Sequence, residues 1–149
     1  MEVTTIILNA AKVAKVSGTL LLAICSHESN NFTMNYVPHD HGSPSYGQCQ
    51  VKKNTAELLG FKGKPEDLMN PETNIKYAAL YLAYQQNRYG EDDWVMLTSA
   101  YNAGSYLPSA KVVGCPRNLK YVRLVKKKLP LEYQNRLDCG KTEIVRNDN

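Results

Sequence analysis

The sequence holds no apolar run that approaches the roughly 20 residues of a membrane helix. None of its four cysteines has the Cys-x-x-Cys spacing of a zinc or redox site. A phosphate-binding loop, a His-Glu-x-x-His zinc motif and a Gly-x-Ser-x-Gly nucleophile elbow are all missing. These absences argue against membrane insertion and leave no motif for nucleotide hydrolysis, zinc proteolysis or serine hydrolysis. Repeats, low-complexity tracts and linkers are missing too. A single domain is therefore expected over residues 1–149, with about 130–149 as a peripheral C-terminal tail. Excess charge of one sign is scarce, with a net charge of only +4. That suits an acidic polymer such as cell wall, and equally an ordinary protein. A nucleic-acid partner is not expected, because no helix sets several basic residues beside exposed aromatics. Lys126 to Lys128 read as a solvated face.

Histidine is also scarce, and two of the three stand in His39-Asp40-His41. No third and fourth ligand follows at helical or hairpin spacing, so no metal and no cofactor is expected. The N-terminus is not expected to be a secretory leader. Met1-Glu2 is not a basic start, Lys12 and Lys15 interrupt the apolar stretch, and no small-residue cleavage site follows Cys25. On that ground Cys25, Cys49, Cys115 and Cys139 are expected as free thiols, with Cys115 and Cys139 the two that could be bridged.

What the chain does have is a globular balance, 43% hydrophobic and 21% charged over 149 residues, enough for one domain with a real core. Most of it follows a helical period. Val3 to Lys15 places Ile7, Ala10, Ala11 and Ala14 on one side, and Ser17 or Thr19 is a candidate cap for the next helix. Phe32 to Ser45, with Pro38, Gly42 and Pro44, reads as a long loop, and Tyr46 to Val51 as a short extended piece. Asn54 to Leu59 is a short helix ended by Gly60. Asn70-Pro71-Glu72 combines a capping side chain, proline at the first helical position and an acid at the positive end of the dipole. That helix should run to Gly90. A further one, capped by Asp92 or Asp93, carries Trp94, Leu97, Ala100 and Tyr101, and a last one spans Arg117 to Leu129. The expected fold is mainly α, with a small irregular or β-like middle segment.

Leu20 to Asn31 organises the rest. Leu21, Ile24, Cys25 and Glu28 fall at i, i+3, i+4 and i+7 of a helix and share one face. A carboxyl that ends an apolar stripe is expected to lose water, which disfavours its charged form and suits a general acid.

Glu28-Ser29, Ser43-Pro44, Gly47-Gln48-Cys49-Gln50-Val51, Asn70-Pro71 with Asn74-Ile75, Ala100-Tyr101-Asn102-Ala103-Gly104 and Tyr121-Val122 follow in that order. Together they resemble the catalytic domain of the soluble lytic transglycosylases, from about Leu20 to Val125. The resemblance implies a lysozyme-like fold, of the goose-type kind, that cleaves peptidoglycan. It implies Glu28 as the catalytic acid and base, with Ser29 fixing the turn after it. Ser43 would contact the substrate's N-acetyl group or the acid. Tyr46 and the segment Gly47, Gln48, Cys49 and Gln50, which matches the family's Gly-Leu-Met-Gln, would line the sugar groove. Tyr101 would bring its hydroxyl near the acid, with Asn102 beside it, and Tyr121 would add an aromatic. Leu-Met is here Gln48-Cys49, so the padding of a sugar subsite differs. The loop between Glu28 and Ser43 looks long, and with no leader the chain resembles transglycosylase modules encoded by bacteriophages, in a virion or as an endolysin.

The reaction so implied cuts the β-1,4 bond between N-acetylmuramic acid and N-acetylglucosamine with one carboxyl, leaving a 1,6-anhydro ring. Two alternatives stand beside it. One is a hydrolytic lysozyme with Asp40 as second carboxylate, about 6.5–9.5 Å from the first. The other is a non-catalytic wall-binding or structural virion protein. The expected partner is the peptidoglycan glycan strand, bound by a monomer without membrane insertion. The expected place of action is the bacterial wall or periplasm, reached from the virion or the host cytoplasm.

Overall fold

The computed structural model describes residues 2–33 and 35–140. Lys141 to Asn149, the end of the expected tail, lies outside them. By its internal packing the chain divides into Met1–Tyr84 and Gln85–Asn149.

In the first unit, α1 (Val3–Ala14) buries Ile7 and Ala11 and ends at Lys15, whose φ of 62° reverses the chain. The Ser17 hydroxyl accepts a hydrogen bond from Leu20 N at 3.1 Å and starts α2 (Gly18–Glu28). Gly18 lets the two helices close, since a Cβ there would meet Leu8 Cδ2 at 2.8 Å. Leu20, Leu21, Ala23, Ile24 and Cys25 are all buried, so α2 is a core helix for most of its length.

The stretch expected as a loop holds a hairpin instead, β1 (Tyr36–Asp40) antiparallel to β2 (Ser43–Tyr46). The turn is His41-Gly42, with φ of 53° and 92°, the left-handed pair that suits a two-residue hairpin. The register slips between Val37 and Asp40, which puts Pro38 in a bulge, where its missing N–H costs no ladder bond. Tyr46 and Val51 then exchange both backbone hydrogen bonds, so Gly47 to Gln50 form a tight loop. α3 (Lys53–Leu58) and a 3-10 helix, Pro65–Met69, lead to Asn70, whose side chain accepts from Thr73 N at 3.1 Å and starts α4 (Pro71–Tyr89). α4 buries Ile75, Ala78, Ala79 and Leu82.

In the second unit, Asp93 caps α5 (Trp94–Ala103) by accepting from Met96 N at 3.0 Å. α6 runs from Leu119 to Lys126, shorter than the period implied, because the Arg117 N–H is bonded to Leu107 O and holds that residue in the preceding loop. A 3-10 helix, Leu131–Leu137, follows. Tyr133 stacks on Trp94 with centroids 6.0 Å apart, the Arg136 guanidinium lies 4.1 Å from the indole centroid, and Leu137 is buried.

Candidate active site

Glu28 is the last residue of α2 and half-buried. The stripe leading to it is real, since Leu21, Ile24 and Cys25 are fully buried. Ser29 ends the helix and is itself fully buried. Its hydroxyl donates to Cys25 O at 2.9 Å and accepts from Phe32 N at 3.0 Å. Asn30, Asn31 and Phe32 then take φ of 51°, 57° and 67° in succession. Three left-handed residues in a row, one of them bulky, are uncommon, and the Ser29 hydroxyl is what braces the turn.

The loop Gly47 to Gln50 is pinned from beneath by Asn74, a fully buried amide on α4. Asn74 Nδ2 donates to Tyr46 O (2.6 Å) and Leu68 O (2.8 Å), and its Oδ1 accepts from Cys49 N at 3.0 Å. Gly47, at φ 75°, makes room for it, since a Cβ there would lie 2.4 Å from Asn74 Nδ2. Gln50, buried and at φ 52°, closes the loop by donating from Nε2 to Gly47 O at 2.8 Å. Gln48 Oε1 is sheltered from solvent and has no hydrogen-bond donor among the described residues. Asn74 stood in the sequence only as part of the helix start.

The cysteines correct the expectation of free thiols. Cys25 is bonded to Cys49, and Cys115 to Cys139. Compartment is no guide to which side chains the fold brings together. The Gly47–Gln50 loop folds back onto α2, where Cys25 and Cys49 are both fully buried side by side. Cys49 is thus a covalent anchor of the loop, and through Cys25 it is tied one helical turn before Glu28.

On the hairpin, Ser43 is half-buried and pairs in register with Asp40. The Asp40 carboxylate accepts from Ser45 Oγ at 2.5 Å and lies 3.9 Å from His41 Nε2, and its carbonyl accepts from Lys52 Nζ. His39 and His41 are exposed, and no group of three or more His, Cys, Asp or Glu among the described residues is placed to hold a metal ion. Tyr46 faces Tyr36 across the strands, rings tilted at 46° with centroids 5.4 Å apart. Burial raises the Tyr46 hydroxyl above its usual range, with Tyr36 and Glu66 adding to the shift. Tyr36, about half exposed, was hidden in the presumed loop.

In the second unit, Tyr101 is buried on α5 and Asn102 is exposed on its last turn. Asn102 Oδ1 accepts from Asn118 Nδ2 at 2.9 Å, and Asn118 also engages Ser99 through Oδ1 and Nδ2 (2.5 and 3.0 Å). Gln85, fully buried, donates to Ala100 O and Gly104 O, and Arg88 adds bonds to Gly104 O and Ser105 Oγ. These two side chains satisfy carbonyls that the end of α5 leaves open. Tyr121 is half-buried on α6. The structure therefore gathers Glu28, Ser29 and Tyr46 to Gln50 around one disulfide and one asparagine. Tyr101 and Asn102 share the end of α5, and Tyr121 stands on α6.

The family described as Transglycosylase SLT domain matches residues 5–109, more than half of the chain. No curated protein matches it. Among solved structures, an inactive mutant of the lytic transglycosylase Slt from Pseudomonas aeruginosa is similar, with a TM-score of 0.56 and 18% identity. The likeness covers 89% of this chain and 22% of that one, so the chain spans about a fifth of its neighbour's length. At that identity the fold is what is shared, a mostly helical, lysozyme-like architecture with a small two-stranded sheet.

Proposed function

Since the chain belongs to the Transglycosylase SLT domain family, we propose that it is a peptidoglycan lytic transglycosylase with Glu28 as its one acid and base. The observation that carries this reading is the placement of Glu28. It ends a core helix and is linked through Cys25–Cys49 to the Gly47–Gln50 loop. The Pseudomonas transglycosylase being inactive as a glutamate-to-glutamine mutant fits a reaction run by one glutamate.

The Glu28 carboxyl gives its proton to the glycosidic oxygen as the bond from that oxygen to C1 of N-acetylmuramic acid breaks. The substrate's own N-acetyl carbonyl stabilises the positive charge at C1. The Glu28 carboxylate then takes the proton of the muramic C6 hydroxyl, whose oxygen closes on C1. The products are a strand ending in a free hydroxyl and a 1,6-anhydro ring, and Glu28 is left protonated again. No water is consumed. The attacking hydroxyl already belongs to the substrate, so no second molecule has to be captured.

The exposed Tyr36 with Tyr46 offers a face for a sugar ring. The hydrolytic alternative is weakened because the Asp40 carboxylate is already engaged by Ser45 and flanked by His41. Two disulfides fit a protein that acts in an oxidising compartment, as the wall outside the cytoplasm is.

The test compares digestion of purified peptidoglycan by the wild type and by Glu28→Gln, which removes the transferable proton and almost no volume. We expect release of soluble fragments to fall by about 1000-fold with circular dichroism unchanged, within the roughly 10²–10⁴-fold range of a single acid–base group. Full lytic activity in Glu28→Gln would sink the reading.

A further inference from the structure

We propose that the Cys25–Cys49 disulfide is the positioning element of the catalytic site, setting the place of the Gly47–Gln50 loop against Glu28 in addition to stabilising the fold. The proposal rests on Glu28 as the acid.

The two sides of the bond differ in what holds them. Cys25 lies three residues before Glu28, about 4.5 Å along the helix axis. Cys25 O also accepts from both Ser29 N (3.1 Å) and Ser29 Oγ (2.9 Å), so Cys25 to Ser29 move as one piece with the helix end. Cys49 sits in a four-residue turn, with Gly47 and Gln50 both in the left-handed region. On its other side the Cys49 N–H donates to Asn74 Oδ1. Asn74 fixes the height of the loop above α4, and the disulfide fixes its distance from the helix that ends in Glu28. Both sulfur-bearing residues are fully buried, so the link is not loosened by solvent. Reacting groups misplaced by about 1 Å lose roughly 100-fold in rate, which is the scale on which such a tether matters.

The second disulfide, Cys115–Cys139 in the other unit, supplies an internal control. Turnover of soluble glycan strands is measured well below the melting temperature for the wild type, for Cys25→Ala/Cys49→Ala and for Cys115→Ala/Cys139→Ala. We expect kcat of the first variant to fall about 100-fold, with KM changed far less and circular dichroism intact. The second should keep kcat within about twofold while melting earlier. A folded Cys25→Ala/Cys49→Ala variant with kcat within about twofold of wild type overturns the proposal and leaves Glu28 untouched as the acid.

Where that variant does not fold, Cys115→Ala/Cys139→Ala is unfolded and refolded under excess dithiothreitol. The dithiol is oxidised to its cyclic disulfide, and Cys25 and Cys49 gain one hydrogen each, counted by alkylation and mass. A 100-fold lower kcat that returns on reoxidation supports the tether, and an unchanged kcat overturns it. Failure of both forms to fold overturns it as well, since the bond would then hold the fold and not the site. A wild type with no cleavage at all removes the catalytic reading of Glu28, and this proposal with it.

Discussion

Asn74 uses both of its N–H groups and its carbonyl on three backbone partners, in a site with no access to water. An alanine there leaves Cys49 N, Tyr46 O and Leu68 O to find new partners in a buried space. Each orphaned group costs about 1–3 kcal/mol, and relaxation recovers part of the sum. Asn74→Ala should therefore lose about 3 kcal/mol of unfolding free energy, read from urea melts. A loss under about 0.5 kcal/mol would contradict the role given to it. The place of Glu28 at the end of a buried stripe was legible in the sequence, because apolar period and carboxylate coincide on a few residues of one helix. Asn74 was not legible as an anchor. Its three partners lie at Tyr46, Cys49 and Leu68, and nothing local in the chain says that they converge.

Helices announced themselves through their ends. Ser17, Asn70 with Pro71, and Asp93 each stand where the structure starts a helix, because a capping oxygen and the N–H groups it satisfies lie within three residues. The hairpin β1–β2 did not. Its turn uses His41-Gly42 in place of the familiar Asn-Gly, and Pro38 sits in a bulge that breaks the alternation. The loop after it is the element on which the proposed site depends, and Gly47 is its tightest point. Gly47→Ala combines a left-handed φ with a Cβ that would overlap Asn74, where the neighbour is a fully bonded amide with no room to yield. We expect a loss of about 2 kcal/mol, the sum of a left-handed penalty and overpacking. Turnover should drop with it, since the loop carries Gln48 and Gln50. Wild-type stability and turnover in Gly47→Ala would mean that the loop tolerates a shift the proposed site does not.

Each of the two units carries one disulfide, and each joins residues 24 apart in sequence. Chain-entropy reasoning for a loop of that size gives about 3.5 kcal/mol per bond. Against a typical stability of about 5–15 kcal/mol, losing both leaves a marginal fold. Cys115→Ala/Cys139→Ala should thus lower the unfolding free energy by about 3 kcal/mol in denaturant titrations. A variant as stable as wild type would show that the second bond constrains little. Pairings of this kind were out of reach of the sequence, because a separation of 24 residues is silent about distance. The order of motifs from Glu28 to Tyr121 was readable across most of the chain.

The most direct measurement is the mass of the muropeptides released when the oxidised wild-type protein digests purified peptidoglycan. A single-glutamate transglycosylase gives ends in 1,6-anhydro-muramic acid, one water lighter than a reducing end. Reducing ends would contradict the account, because they require a second group to activate water, and Asp40 would be the residue to examine.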